Sequence, residues 1–225
     1  MKKLGVSAWL PVACVLFMIF AGCSNSYQDG TIVCLGDSLT EGYGAVTPGV
    51  VDKSKSYPAY LRDKVNIPVI NAGVSGDTSA QGLARVDTEV LSKNPKIIVI
   101  ILGANDLGRG ITTKDNLQSI IDKVNDGNRK IYLAKFYTEA VARALANSIG
   151  FTDYAFQTAL IDQYDNLFNS LAAENNLTLI EDIWNGVWGI NMSDLVHPNA
   201  KGYEIMANNI FKVLQPYLQE NNLLK

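Results

Sequence analysis

The chain has 225 residues, a formal net charge of −3 and a single histidine. This mild acidity, with no basic run, argues against a nucleic acid as partner. One histidine, with neither a cysteine cluster nor a close group of acidic residues, leaves no set of metal ligands with the spacing of a zinc site. No Gly-X-Gly-X-X-Gly or P-loop motif follows a predicted strand, so no nucleotide cofactor is expected either.

The N-terminus has the features of an export signal. Two lysines precede a mostly apolar run at residues 10–21, and small residues then lead to Cys23. This pattern resembles a bacterial lipoprotein signal, in which residues 1–22 are removed and Cys23 is lipidated. A transmembrane anchor is the alternative, but the run is shorter than the roughly 20 residues that cross a bilayer. We expect an exported protein of the bacterial cell envelope, held to the membrane through lipid on Cys23 and a polar tether at 23–30. A secreted or periplasmic protein is the other possibility.

The remaining chain is predicted to form one domain at residues 31–225. Removal of the signal leaves enough residues for a sizeable core and shifts the formal net charge to −5. Cys34 is the one cysteine left once Cys23 carries lipid, so no internal disulfide is available. Because it lies within an apolar run, Cys34 is predicted to be a small core residue.

Apolar runs alternate with segments of helical period along this domain, which is the pattern of βαβ units around a parallel sheet. Right-handed crossovers then give a three-layer α/β/α sandwich with a five-stranded parallel sheet. Strands are predicted at 31–35, 67–71, 96–102, 130–136 and 177–180. Helices are predicted at 57–65, 79–92, 113–125, 153–175 and 199–218, with Pro198 suited to the first turn of the last one.

Two stretches have no clean assignment. Residues 137–152 are partly helical in pattern and are expected to form a short extra helix. Residues 181–193 read as a loop that carries Trp184 and Trp188. These two side chains pack in the core under the loop, or they form an apolar wall of a substrate pocket.

The residues that suggest chemistry follow predicted strands or precede the last helix. Ser38 lies in Gly36–Leu39, directly after the first strand, where sites form in open α/β sheets. A serine hydroxyl needs a neighbouring base, and the single histidine, His197, is the one imidazole available. Asp194 lies three residues earlier, so one turn of chain brings it to the ring, whose tautomer it would hold. Asp37 is expected to brace the loop and to take no part in the chemistry.

These segments resemble the sequence blocks of the GDSL esterases and lipases, also called SGNH hydrolases. Ser38 matches the first block, Gly76 the second, Asn105 the third, and Asp194 with His197 the fourth. The resemblance covers about residues 31 to 218. It implies a flavodoxin-like sheet with strand order 2-1-3-4-5, and a Ser38, His197 and Asp194 triad. It also agrees with an oxyanion hole made of the Ser38 and Gly76 backbone N–H groups and the Asn105 amide.

The predicted function is that of a serine esterase, which cleaves carboxylic esters, thioesters or lysolipids through an acyl-enzyme. The run at 76–85 looks most like the bacterial arylesterase and thioesterase branch, although Ala104 stands where that branch often has a second glycine. A carbohydrate O-acetylesterase is the alternative enzyme, and an inactive substrate-binding lipoprotein is the alternative of another class. A closed apolar pocket would favour a lipid or thioester, and an open cleft with exposed aromatics a sugar. The sequence leaves the oligomeric state open.

Overall fold

One parallel sheet of five strands organises the protein. The computed structural model describes residues 30–107, 109 and 112–225. The predicted signal, Cys23 and nearly all of the tether lie outside these residues. All strand pairs are parallel, and the order is β2-β1-β3-β4-β5, so the predicted fold class and topology are confirmed. The strands are β1 (Thr31–Gly36), β2 (Val69–Gly73), β3 (Pro95–Ile101), β4 (Lys130–Ala134) and β5 (Thr178–Ile180).

The central strands are buried on both faces. Every side chain from Ile97 to Leu102 is inaccessible to solvent, as expected of a parallel sheet covered by helices on both sides. The strand predicted at 67–71 begins later, at Val69. Pro68 has no N–H to donate to the neighbouring strand. Strand pairing through both the N–H and the C=O groups therefore starts at Val69.

Helices cover both faces of the sheet. The β1–β2 crossover and the β2–β3 crossover move in opposite directions along the sheet, so right-handed connections place them on opposite faces. The helices are α1 (Ser38–Glu41), α2 (Tyr57–Arg62), α3 (Ser79–Ala84), α4 (Val86–Glu89), α5 (Thr113–Val124), α6 (Glu139–Ser148), α7 (Tyr154–Glu174) and α8 (Ala200–Glu220). Accordingly α2 packs against α8 on one face, while α3, α5 and α7 pack on the other.

The helix predicted at 79–92 is broken into α3, α4 and a 3-10 turn at Leu91–Lys93. The break falls at Arg85, whose backbone has φ −110° and ψ 8°. Its guanidinium donates to the carbonyl oxygens of Ala72 and Gly36, at the ends of two strands. Hydrogen bonds of this kind join residues that are far apart in sequence, and they outweigh the local preference for a continuous helix. The periodicity of the sequence does not show them.

Two other helix predictions have clear outcomes. Residues 137–152 do contain the expected extra helix, α6. The last helix starts at Ala200, after the N-cap Asn199, whose side chain accepts from the N–H of Gly202 at 3.0 Å. Pro198 therefore precedes the helix, and its predicted place in the first turn is wrong. Within the described ranges, no helix is both long and apolar enough to cross a membrane.

Candidate active site

A short capped helix presents Ser38 at the carboxyl edge of the sheet. β1 ends at Gly36, and Asp37 is the N-cap of α1, with its Oδ1 accepting from the N–H of Leu39 at 3.0 Å. Aspartate is a favoured N-cap because its carboxylate satisfies an N–H that the helix leaves free. Ser38 is thus the first residue of α1, directly beyond the strand.

A tight turn holds the histidine and its acid together. Asp194 Oδ1 accepts from the N–H groups of Val196 and His197, at 2.9 and 2.8 Å. The same turn brings the ring Nδ1 of His197 to 2.9 Å from Asp194 Oδ2. On the other side of the ring, Nε2 lies 3.0 Å from Ser38 Oγ, although 159 positions separate the two residues in sequence. The structure therefore brings the three predicted residues into one chain of contacts.

The charge of Asp194 determines which ring nitrogen carries the proton. Burial raises the pKa of this carboxyl, but hydrogen bonds from Val196 and from the ring and backbone of His197 outweigh it, so the pKa is lowered overall. An ionised carboxylate can only accept, so Nδ1 carries the hydrogen. In the neutral ring, Nε2 is then the acceptor that faces the Ser38 hydroxyl.

Two tyrosines that sequence reasoning missed support this arrangement. The Tyr43 ring packs on the His197 ring, with centroids 4.5 Å apart and planes tilted by 49°. The Tyr203 hydroxyl lies 2.9 Å from the carbonyl oxygen of Tyr43 and 3.3 Å from that of Ser38. Tyr203 is fully buried on α8. Its position six residues beyond His197 was the one signal in the sequence. Nothing in the sequence marks Tyr43.

Two of the predicted oxyanion donors are unengaged. Among the described residues, neither the Ser38 N–H nor the Gly76 N–H has an acceptor. Gly76 has φ +85°, a left-handed conformation that glycine adopts without strain. The preceding residue, Ser75, donates its N–H and hydroxyl to Glu41 Oε2 at 2.7 and 2.6 Å. The Gly76 loop is therefore tied to α1, the helix that carries Ser38.

The third predicted donor is engaged. Asn105 Nδ2 lies 3.2 Å from Asp37 Oδ2 and 3.0 Å from the carbonyl oxygen of Asp77, so both amide hydrogens have partners. One of them has to be shared or released before Asn105 can donate to an oxyanion. Asp37 thus braces both the Ser38 turn and the Asn105 side chain. Its burial raises the pKa of the Asp37 carboxyl to about 7.

The family model for the GDSL-like lipase/acylhydrolase family matches residues 34–205. The chain belongs to this family. It is accordingly a carboxylic ester hydrolase.

Individual members are similar over most of the chain. The esterase TesA of Pseudomonas aeruginosa is 27% identical, across 84% of this chain and 89% of that protein. Thioesterase 1/protease 1/lysophospholipase L1 of Escherichia coli is 28% identical, across 85% and 86%. The crystal structure of the psychrotrophic esterase EstA from Pseudoalteromonas superposes with a TM-score of 0.67 at 23% identity, covering 85% of this chain and all of that one, and shows the same fold.

In this family member, Arg85 fixes the strand ends beneath the site. Its Nε donates to Asp77 Oδ2 at 2.6 Å, and its other nitrogens donate to the carbonyl oxygens of Ala72 and Gly36 at 2.6 and 2.8 Å. Gly36 is the last residue of β1 and Ala72 the second-last of β2, so both carbonyls lie just before the segments that carry Ser38 and Gly76. One side chain therefore sets the spacing of two loops that bear predicted donors.

A cavity of about 680 Å³ opens beside Ser38 and His197. It extends between α6 and the first turns of α7, and residues from 181–193 close one wall. Trp184 and Trp188 both line it, in an edge-to-face pair with centroids 5.7 Å apart. Trp184 is also 95% buried and donates its indole N–H to the Phe136 carbonyl oxygen, so it belongs to the core and to the pocket wall at once.

The remaining groups with possible chemical roles are Cys34 and the residue types that bind metal ions. Cys34 is fully buried in β1, and burial raises the pKa of its thiol to about 12, so it packs as the predicted core residue. Across residues 30–107, 109 and 112–225, no three His, Cys, Asp or Glu side chains are grouped in a way that could hold a metal ion.

Proposed function

We propose that this esterase works through an acyl-enzyme on Ser38, with His197 as general base and acid and Asp194 as its partner. The observation that supports the proposal most strongly is the continuous contact from Asp194 Oδ2 through the His197 ring to Ser38 Oγ, at 2.9 and 3.0 Å. These distances lie in the range that proton transfer between a nucleophile and its base requires.

The chemistry follows from that geometry. As Ser38 Oγ attacks the ester carbonyl carbon, its proton passes to His197 Nε2, and the Asp194 carboxylate stabilises the resulting imidazolium. The tetrahedral intermediate collapses, and the leaving alkoxide or thiolate takes the proton from Nε2. A water molecule then attacks the acyl-enzyme with its proton going to Nε2. Collapse of that second intermediate returns the proton to Ser38 and releases the carboxylic acid.

The negative charge of both intermediates needs hydrogen-bond donors that are already in place. We assign this role to the N–H groups of Ser38 and Gly76, which are free among the described residues. The Asn105 amide is the third donor, once it shares a hydrogen now bound to Asp37 or Asp77. An intermediate oxyanion is a stronger acceptor than a backbone carbonyl, which favours that exchange.

The cavity favours an acyl or lipid substrate over a polysaccharide. The polar site residues lie at one end of the cavity, and the rest of its lining is aliphatic or aromatic. A sugar placed there would lose most of its hydrogen bonds to water, because few polar groups in the lining could replace them. This supports esters and thioesters over the alternative of a carbohydrate O-acetylesterase. The contact between the Ser38 hydroxyl and His197 Nε2 also disfavours an inactive binding protein.

The decisive experiment compares Ser38→Ala with a matched control, Ser119→Ala, on the exposed surface of α5. Loss of the nucleophile is expected to lower ester turnover by about 10⁴-fold or more, and to abolish labelling by a fluorophosphonate, which reacts with an activated serine. Ser119→Ala retains both. A Ser38→Ala enzyme with a tenth of normal turnover would contradict the assignment.

We further propose that the protein is an exported lipoprotein, lipidated on Cys23 after removal of residues 1–22. Support comes from the two lysines, the apolar run at 10–21 and the small residues before Cys23. Several acyl chains at one N-terminus anchor a protein stably, whereas one chain binds a membrane only marginally.

A further inference from the structure

The cavity beside Ser38 has its polar groups at one end. The polar side chains in its lining belong to the site itself: Asp37, Ser38, Asn105 and His197. The rest of the lining consists of aliphatic and aromatic residues. Among these, the Tyr137 hydroxyl already donates to Asp165, so it offers nothing to a ligand in the cavity as a donor. Apart from the hydroxyl of Tyr164 and the indole N–H of Trp188, a ligand portion that reaches beyond Ser38 therefore finds apolar surface.

Helix α6 contributes a continuous stripe to this surface. The cavity-lining residues recur at the spacing of one helical face, at Val141, Ala142, Leu145, Ala146 and Ile149. Only Val141 among them is buried. In a helix of this kind the apolar stripe ordinarily packs on a core, whereas here most of it borders open volume. An apolar occupant would complete its burial.

Polar contacts hold α6 against α7 through side chains outside the apolar stripe. Arg143 donates to Glu139 at 2.9 Å and to Thr158 of α7 at 3.0 Å, and its guanidinium stacks on the Tyr154 ring at 4.0 Å. Gln157 of α7 donates to Asn147 at 2.9 Å. These contacts fix α6 against α7 without using the apolar stripe, which leaves the cavity free for a ligand.

The rim of the cavity is also apolar. Ile149 and Phe156, at the end of α6 and the start of α7, are 68% and 54% exposed although both line the cavity. Large apolar side chains exposed in one patch mark a binding surface. A chain longer than the enclosed part would therefore stay in contact with apolar groups as it leaves the mouth.

We propose that this cavity binds the acyl chain of the substrate, that the enzyme prefers medium and long acyl chains over acetyl, and that the α6 stripe sets the chain length. This rests on the proposed function in one respect: the ester carbonyl is placed at Ser38. A cavity of about 680 Å³ is within the range of specific ligand sites. Each methylene moved from water to this lining contributes to binding in proportion to the area it buries.

The test is a series of p-nitrophenyl esters from acetate through butyrate to octanoate. For the wild type, kcat/KM is expected to rise by up to roughly fourfold per added methylene. Ala146→Trp fills the middle of the stripe and is expected to lower the octanoate-to-acetate ratio by about tenfold or more. Ala142→Phe, a second obstruction in the same stripe, is expected to lower it as well. Flat chain-length dependence in the wild type, or an unchanged ratio in both folded variants, would overturn the proposal.

Ala144→Trp is the matched control. Ala144 is on the same helix but exposed and outside the cavity lining, so the same substitution there leaves the ratio as in the wild type. An equal fall in this variant would show a general effect on α6, and would overturn the assignment. Circular dichroism confirms that each variant folds.

A binding measurement separates this inference from the catalytic proposal. Ser38→Ala protein is titrated with laurate by calorimetry, with and without Ala146→Trp. Laurate binding that Ala146→Trp weakens tenfold or more supports the acyl site even where Ser38 proves not to be the nucleophile. Full esterase activity in Ser38→Ala contradicts the catalytic proposal alone. Absence of laurate binding to Ser38→Ala contradicts the acyl site alone.

Discussion

Asp37 offers a direct test of the electrostatics beneath the site. Burial raises the pKa of its carboxyl from 3.8 to about 7, with smaller contributions from the nearby carboxylates of Asp77 and Asp106, while the Leu39 N–H opposes the rise. The folded protein therefore binds a proton at Asp37 over a pH range in which the unfolded chain has lost it. Stability from this group is fully present below about pH 4 and declines as the pH rises toward 7.

The magnitude follows from the width of that range. Each pH unit within it lowers the free energy of unfolding by about 1.4 kcal/mol, so Asp37 removes about 4 kcal/mol between pH 4 and pH 7. Asp37→Asn has no ionisation, and its amide oxygen still accepts from the Leu39 N–H as a good N-cap. Relative to the wild type, Asp37→Asn is therefore expected to gain about 4 kcal/mol over this interval, whatever its stability at pH 4.

The assay is urea denaturation of both proteins at several values between pH 4 and pH 8. Other titrating groups are common to the two, so they cancel in the difference. Asp122→Asn, an exposed position on α5, is the control and should follow the wild type at every pH. A difference between the wild type and Asp37→Asn that changes by less than about 1 kcal/mol across the range would refute the reasoning.

Three further predictions address the base, the strand ends and the anchor. His197→Gln should abolish ester turnover, because no base then takes the Ser38 proton, and Asp194→Asn should lower it because the imidazolium loses its partner; full activity in His197→Gln would contradict the proposed mechanism. Arg85→Met should cost about 3–5 kcal/mol in urea denaturation, because it leaves the Asp77 carboxylate and two strand-end carbonyls unpaired, and a loss under about 1 kcal/mol would disprove this role. Cys23→Ser should abolish lipidation, and mass spectrometry that finds an unmodified N-terminus at another residue of the native protein would exclude it.

The sequence was enough to predict that the candidate site residues lie close together, because parallel strands bring their carboxyl ends to one edge. Ser38, Gly76 and Asn105 each follow a strand, so their loops had to lie at that edge. Asp194 and His197 are three residues apart, which a single turn could join. For these residues, the position after a strand and the parallel topology were sufficient to predict their closeness.

Other features depend on contacts that no local pattern shows. Arg85 interrupts a predicted helix because it binds carbonyls of two distant strands. The Tyr43 ring packs on the His197 ring, although the two residues are far apart in sequence. The engagement of both Asn105 hydrogens depends on distances of about 3 Å, which a sequence pattern cannot supply. The cavity likewise lies beside α6, which Arg143 holds against α7 through contacts with Thr158 and Tyr154.

The direction of the parallel strands separates the start of the described chain from the candidate active site. The described chain enters at the amino edge, at Gly30, and its last residue, Lys225, donates its N–H to Lys64, which precedes β2 at that same edge. Ser38 and the cavity mouth are at the carboxyl edge. With lipid on Cys23, a tether of residues 24–30 would reach at most about 25 Å and would join the domain at the edge of the sheet opposite Ser38. A support coupled through either end of the described chain would therefore leave Ser38 accessible.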